Sequence, residues 1–171
     1  MGIGATMQTG YKYARMKGYD IAVQVDGDGQ HPASQIKHLL DPLMQGKAHL
    51  IVGSRFLGKG EYRPSIARSA GMAFFSRLVS AIIRERVTDT TSGFRAANHE
   101  CIEFFSRRYP DDYPEVESLV LLHKKGFSIM EVPVEMSERA AGSSSITPIR
   151  SVYYMVKVFL AIAVDLLKKV D

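Results

Sequence analysis

The stretch Ile21-Ala22-Val23-Gln24-Val25-Asp26-Gly27-Asp28-Gly29-Gln30-His31-Pro32 decides how this chain is read. Its first half is a short apolar run of strand type, and its second half is acidic and rich in glycine. Two carboxylates at the end of a buried strand are costly unless something neutralises them. A divalent cation does so: Mg²⁺ and Mn²⁺ prefer hard oxygen ligands, and Mg²⁺ sites often combine one or two carboxylates with substrate phosphates. The glycines let the backbone turn sharply and let a ligand approach it. The same residues also make an ordinary polar turn, since Asp and Gly are turn formers. The motif by itself leaves both readings open. An EF-hand is excluded, because the sixth loop position is His31 instead of Gly and the twelfth is Lys37 instead of Glu.

Outward from this stretch the chain alternates helical and strand patterns. Residues 4–17 read as a helix with Ala5, Tyr11 and Ala14 on its apolar side and Gly18 as its C-terminal cap. Pro32 suits a first helical position, and Ile36, Leu39, Leu40 and Leu43 recur at helical spacing up to Gly46. A strand over Ala48–Gly53 ends in Ser54-Arg55, and Phe56 to Pro64 reads as a polar loop. Helices are expected over Ile66–Ile83, 98–107 and 115–125, with a turn-rich stretch from Thr88 to Arg95 and a strand over Ser128–Met136. Pro133 in that last strand places it at a sheet edge. Alternation of this kind predicts an α/β layer fold.

The 171 residues suffice for one domain with its own core. Hydrophobic residues make up 46% and charged residues 23%, which excludes a disordered chain. The net charge of +4 is spread along the sequence. It suits an anionic small substrate or an acidic membrane surface and is too weak to indicate nucleic acid. Cys101 is the single cysteine, so no intrachain disulfide forms, which suits a reducing cytoplasm. The first residues lack the basic start and apolar run of a signal peptide. From Ile149 onward, Val152, Tyr153, Val156, Phe159, Leu160, Ala163, Leu166, Leu167 and Val170 share a helical face, with Lys157, Asp165, Lys168 and Lys169 mostly elsewhere. Such a helix lies in a membrane interface, on a second copy of the chain, or on its own domain.

Further sequence elements join the acidic motif: Gly53-Ser54-Arg55, Arg68, Ser92-Gly93-Phe94-Arg95, Glu117, Glu131-Val132-Pro133-Val134 and Arg139-Ala140-Ala141-Gly142-Ser143-Ser144. In this order and spacing, from about Gly2 to Ser145, the chain resembles glycosyltransferase family 2 enzymes of the GT-A fold. The branch is that of dolichyl- or polyprenyl-phosphate sugar transferases and related bacterial polysaccharide enzymes. The resemblance implies an α/β fold, a Rossmann-like mixed sheet flanked by helices. Residues 1–145 would then be a partial catalytic domain and 146–171 a C-terminal apolar helix. Family members usually begin with two further βα units, roughly 60 residues, so the first strands would be missing.

What the resemblance implies for the site is specific. Asp26 would lie beside nucleotide and metal, Asp28 would be the main Mg²⁺ or Mn²⁺ ligand, and Gln30 would complete the metal shell. Arg55, Arg68, Arg139 and Ser143 would hold phosphates, with the loop from Arg139 to Ser145 as a lid over the donor. The implied reaction is inverting transfer of a sugar from a UDP- or GDP-linked donor to a lipid phosphate or a growing glycan, at the inner face of the membrane. A lipid phosphate is already an anion, whereas a sugar hydroxyl needs a carboxylate base. Asp89 and Glu117 are the candidates, against turn formation for Asp89 and a helix N-terminal charge for Glu117.

Arg15, Arg77, Arg84, Arg86, Arg107 and Arg108 read as solvated surface, His31 as the residue before a helix-starting proline, and Cys101 as a small core residue. Two alternatives stand beside the transferase. One is an inactive subunit or binding module. The other is a haloacid-dehalogenase-type phosphatase, which places a nucleophilic Asp after an apolar strand but expects Thr or Val where Gln30 stands.

Overall fold

Leu50-Ile51-Val52-Gly53-Ser54 is buried at every position and forms an inner strand of the sheet. It belongs to a computed structural model that describes residues 2–58, 66–111, 113–137 and 156–164. In chain order the elements are α1 (Ile3–Met16), β1 (Ile21–Gln24), a short 3₁₀ turn (Ala33–Gln35), α2 (Ile36–Met44), β2 (Leu50–Ser54), α3 (Ile66–Ile83), β3 (Arg95–Asn98), α4 (His99–Arg107), α5 (Pro114–Lys124) and β4 (Ile129–Pro133). The sheet order is β1-β3-β2-β4. β3 runs antiparallel to both β1 and β2, and β4 is parallel to β2. β1, β2 and β4 therefore share one direction, and the expected mixed α/β sheet flanked by helices is present.

The alternation of side chains along the strands sorts the core into two layers. Leu50 and Val52 of β2 and Ala97 of β3 face α1, α3, α4 and α5, with Phe75, Cys101, Phe105, Leu119 and Leu122 packed on them. Ile51 of β2, Ala96 of β3 and Val132 of β4 face the other way, onto Leu39 and Leu43 of α2. Cys101 is fully buried, and burial pushes its thiol pKa up, so it is a core residue as expected.

Two expectations need correction. β3 falls in a stretch read as turn followed by helix: Arg95-Ala96-Ala97-Asn98 carries little β propensity, and pairing on both sides makes it a strand. Pro32 stands before a 3₁₀ turn instead of opening an α-helix, and α2 proper begins at Ile36. Gly18 does cap α1, at φ 69°, and Pro133 does lie on an edge strand. Arg15 and Arg107 meet Glu103 in exposed ion pairs, as surface arginines do.

Residues 156–164 are helical. Val158 and Ile162 of this segment are buried in the same core cluster as residues of α3 and α5, while Val156, Phe159, Leu160 and Val164 remain exposed. The helical face picked out by the sequence is thus partly the exposed one, and the buried stripe lies beside it. No described helix is long and apolar enough to cross a membrane.

Candidate active site

The carboxyl ends of β1, β2 and β4 point to the same edge of the sheet, and antiparallel β3 enters from there. The turn after β1, the Ser54-Arg55 end of β2 and the Ser92-Gly93-Phe94 approach to β3 therefore meet. In open α/β sheets this carboxyl edge is where ligands bind.

Asp26 sits directly on Gly93. A Cβ built on Gly93 would lie 2.6 Å from both carboxylate oxygens of Asp26, so any side chain there would displace that carboxylate. The turn is held by its own residues. The Gln30 N–H donates to Asp28 Oδ1 at 3.1 Å, and Gly29 adopts φ 75°. The Asp26 N–H donates to His31 Nδ1 at 3.3 Å. His31 is buried and stacks on Phe94, with ring centroids 4.7 Å apart. It is a strut of the acidic turn, a larger part than the sequence suggested. Burial lowers the His31 pKa, against the pull of Asp26 and Asp28; Arg55 and Asp89 also lie within electrostatic reach.

Asp89 and Arg55 form its second half. The Asp89 side chain is fully buried, and that of Arg55 nearly so. Arg55 donates from Nε to Oδ2 and from Nη2 to Oδ1, both at 2.6 Å, and its backbone N–H reaches Oδ2 at 3.1 Å. Nη2 also donates to Thr91 Oγ1 at 2.7 Å. The pair is bidentate and charge-assisted, the strong form of such a contact.

Two residues quoted in the sequence runs above, Arg95 and Glu131, were given no role there, and Glu115 was not singled out. Arg95 is buried and donates to the carbonyls of Ser92 and Glu115 and to Ser118 Oγ, tying the loop before β3 to α5. Glu115 lies near Arg95 and Asp26, and burial raises its pKa. Glu131 of β4 accepts from the N–H groups of Thr88 and Asp89. A charged residue between apolar neighbours in a strand is the signal that could have given Glu131 a structural role.

Glu117 is buried in the first turn of α5. Arg68 lies in the first turn of α3, and its side chain is outside the described residues, as are Arg139 and Ser143. The Gln30 carbonyl accepts from the Ser137 N–H at 3.0 Å, so the chain leading to Arg139 is anchored on the acidic turn.

The donor set fits a divalent cation. One turn presents two carboxylates and an amide side chain, all hard oxygen donors. Among the described residues no group of three or more His, Cys, Asp or Glu is placed to hold a metal ion by itself. Such a site suits an ion whose remaining ligands come from water and phosphate.

The chain is similar to the polyprenol monophosphomannose synthase of Mycolicibacterium smegmatis, 29% identical over 153 residues that cover 85% of this chain and 56% of that protein. It is 31% identical over 140 residues to a UDP-N-acetylglucosamine–dolichyl-phosphate N-acetylglucosaminyltransferase of Methanococcus voltae, covering 78% of this chain and 55% of the other. These relatives are named as sugar transferases, and the chain is similar to them over most of its own length. An undecaprenyl-phosphate mannosyltransferase of Micrococcus luteus is 27% identical over 156 residues, 85% of this chain and 61% of that protein. The chain spans just over half the length of the curated relatives it matches. No family model matches it. Similarity to sugar transferases over most of the chain speaks against the phosphatase alternative.

Proposed function

We propose that the chain carries the donor end of a metal-dependent, inverting glycosyltransferase that moves a sugar from a nucleoside diphosphate to a polyprenyl-type lipid phosphate. The observation that carries this reading is the acidic turn of Asp26 and Asp28, pinned by buried His31, at the same carboxyl edge of the sheet as the Arg55–Asp89 pair that follows β2. Relatives named for transfer to polyprenyl or dolichyl phosphate support the acceptor class.

Asp28, with Asp26 and Gln30, would hold Mg²⁺ or Mn²⁺, which when bound supplies Lewis-acid stabilisation of the diphosphate. Arg55, Arg68, Arg139 and Ser143 would hold phosphates of donor or acceptor, since the guanidinium fork matches phosphate oxygens. Anchoring of Ser137 on Gln30 supports the Arg139–Ser145 segment as the donor lid. Asp89 is engaged by Arg55 through both oxygens. That engagement favours setting Arg55 over taking a proton, and so favours an acceptor that is already an anion over a glycan hydroxyl. Glu117 is then the remaining candidate base for a hydroxyl acceptor. Exposed Val156, Phe159 and Leu160 support contact with the cytoplasmic face of a membrane, with a second copy of the chain as the competing occupant.

Calorimetric titration with UDP and GDP, each with and without Mn²⁺, tests the donor site in the wild type and Asp28→Ala. Metal-dependent binding of one nucleotide, lost in the variant, is expected. Binding that survives the substitution overturns the metal assignment. A folded chain that binds neither nucleotide is not a donor site by itself and supports the binding-module alternative.

A further inference from the structure

Glu131 lies mid-strand in β4, opposite Val52 of β2 and off the face that carries Val132. Both of its carboxylate oxygens face donors. Oε2 accepts the Thr88 N–H at 2.7 Å and the Thr88 hydroxyl at 2.9 Å, and Oε1 accepts the Asp89 N–H at 2.7 Å. Three donors converge on this one side chain, and both of its carboxyl oxygens act as acceptors.

This fixes the direction of the hydrogen bonds beyond it. The single hydroxyl proton of Thr88 goes to Glu131, so Ser54 must donate to Thr88 Oγ1, 2.7 Å away. Ser54 Oγ in turn accepts the Phe56 N–H at 3.2 Å. A chain of one polarity therefore runs from Phe56, just past β2, to Glu131. On the other oxygen, Glu131 holds the amide of the residue whose carboxylate grips Arg55.

We propose that Glu131 is a positioning residue of the candidate site, setting Arg55 through the backbone of Thr88 and Asp89. Its effect on catalysis rests on the transferase reading; its effect on Arg55 does not. Glutamine does not replace it, because a carboxamide presents one acceptor oxygen and turns its NH₂ toward an N–H.

The Arg55 Nε–H resonance of the full chain reads the proposal without any need for activity. In the wild type it should be strongly downfield and slow to exchange, as the 2.6 Å bond to Asp89 requires. In Glu131→Gln it should move upfield and exchange at least about tenfold faster. Thr88→Val, which removes one of the three donors, should shift it less and in the same direction. Ile102→Val, in the core away from the loop, should leave it in place. An Arg55 signal unchanged in Glu131→Gln, or shifted equally by Ile102→Val, overturns the proposal. If Glu131→Gln does not fold, an unchanged signal in Thr88→Val overturns it instead.

A kinetic arm follows the same logic. Glu131→Gln should lower kcat about tenfold with donor KM within about twofold, and should cost nothing further in an Asp89→Asn background. Full losses in both backgrounds overturn action through Asp89. A wild type that transfers no sugar defeats the transferase reading, while the Arg55 signal still decides the proposal for Glu131.

Discussion

At Gly93 one absent methyl group decides where a carboxylate can stand. A side chain there would sit 2.6 Å from both oxygens of Asp26 and would push it off the sheet edge. Gly93→Ala is expected to weaken metal-dependent nucleotide binding about tenfold or more, roughly 1.4 kcal/mol, with the far-ultraviolet circular dichroism unchanged; titration and dichroism together check this. Arg55 makes the complementary case. Its removal leaves the fully buried Asp89 carboxylate without its bidentate partner. Arg55→Ala should cost about 3–5 kcal/mol in urea unfolding, the penalty of an uncompensated buried charge. Breaking the exposed Lys37–Asp41 pair should cost under about 0.5 kcal/mol in the same assay. The acidic turn was legible at this scale because Asp26, Asp28 and Gln30 are adjacent in sequence. Glu131 was not, because its partners Thr88 and Asp89 stand 43 and 42 positions away.

Helix ends and exposed faces govern the elements. α3 ends at Ile83, and Arg84 takes up φ 58°, a left-handed conformation that costs a side-chain-bearing residue about 1 kcal/mol relative to glycine. Arg84→Gly is therefore expected to raise stability by about 0.5–1 kcal/mol, less the entropy that glycine gains in the unfolded chain; chemical denaturation gives the sign. α4 begins with Asn98, whose side chain accepts the Cys101 N–H at 3.0 Å. Its replacement by Ala should cost about 1 kcal/mol. In the 156–164 segment the two faces should separate experimentally. Ile162→Ala opens a cavity in the core and should cost about 2–5 kcal/mol. The double change Phe159→Ser and Leu160→Ser should leave the unfolding midpoint nearly unchanged and abolish flotation with anionic vesicles. Flotation that persists in this variant argues against a membrane role for the face. The helices were legible from their 3.6-residue periodicity, which is local. β3 was not, since an Arg-Ala-Ala-Asn run becomes a strand only when β1 and β2 bracket it.

For the whole molecule, proton linkage ties the network around Glu131 to stability. Burial raises the Glu131 pKa above the ordinary glutamate range, with the hydrogen bonds from Thr88 and Asp89 pulling it back down. The native fold then holds that proton more tightly than the unfolded chain. The stability involved is fully present below the unfolded value of about 4.3 and is lost as pH rises through the native value. The advantage of the wild type over Glu131→Gln in urea unfolding should accordingly fall as pH is raised from about 4.3, by at most about 1.4 kcal/mol per unit, and then level off. An advantage that grows over that window would reverse the assigned shift. The sequence by itself determined the α/β alternation, most of the helices, the acidic turn and the glycosyltransferase likeness, because periodicity, turn chemistry and contiguous motifs are written in neighbouring residues. Only the tertiary structure decided that β3 is a strand, that His31 and Arg95 are struts, that Asp89 grips Arg55 and that Glu131 holds Asp89. Those roles depend on hydrogen bonds and burial between segments that only the folded sheet brings together.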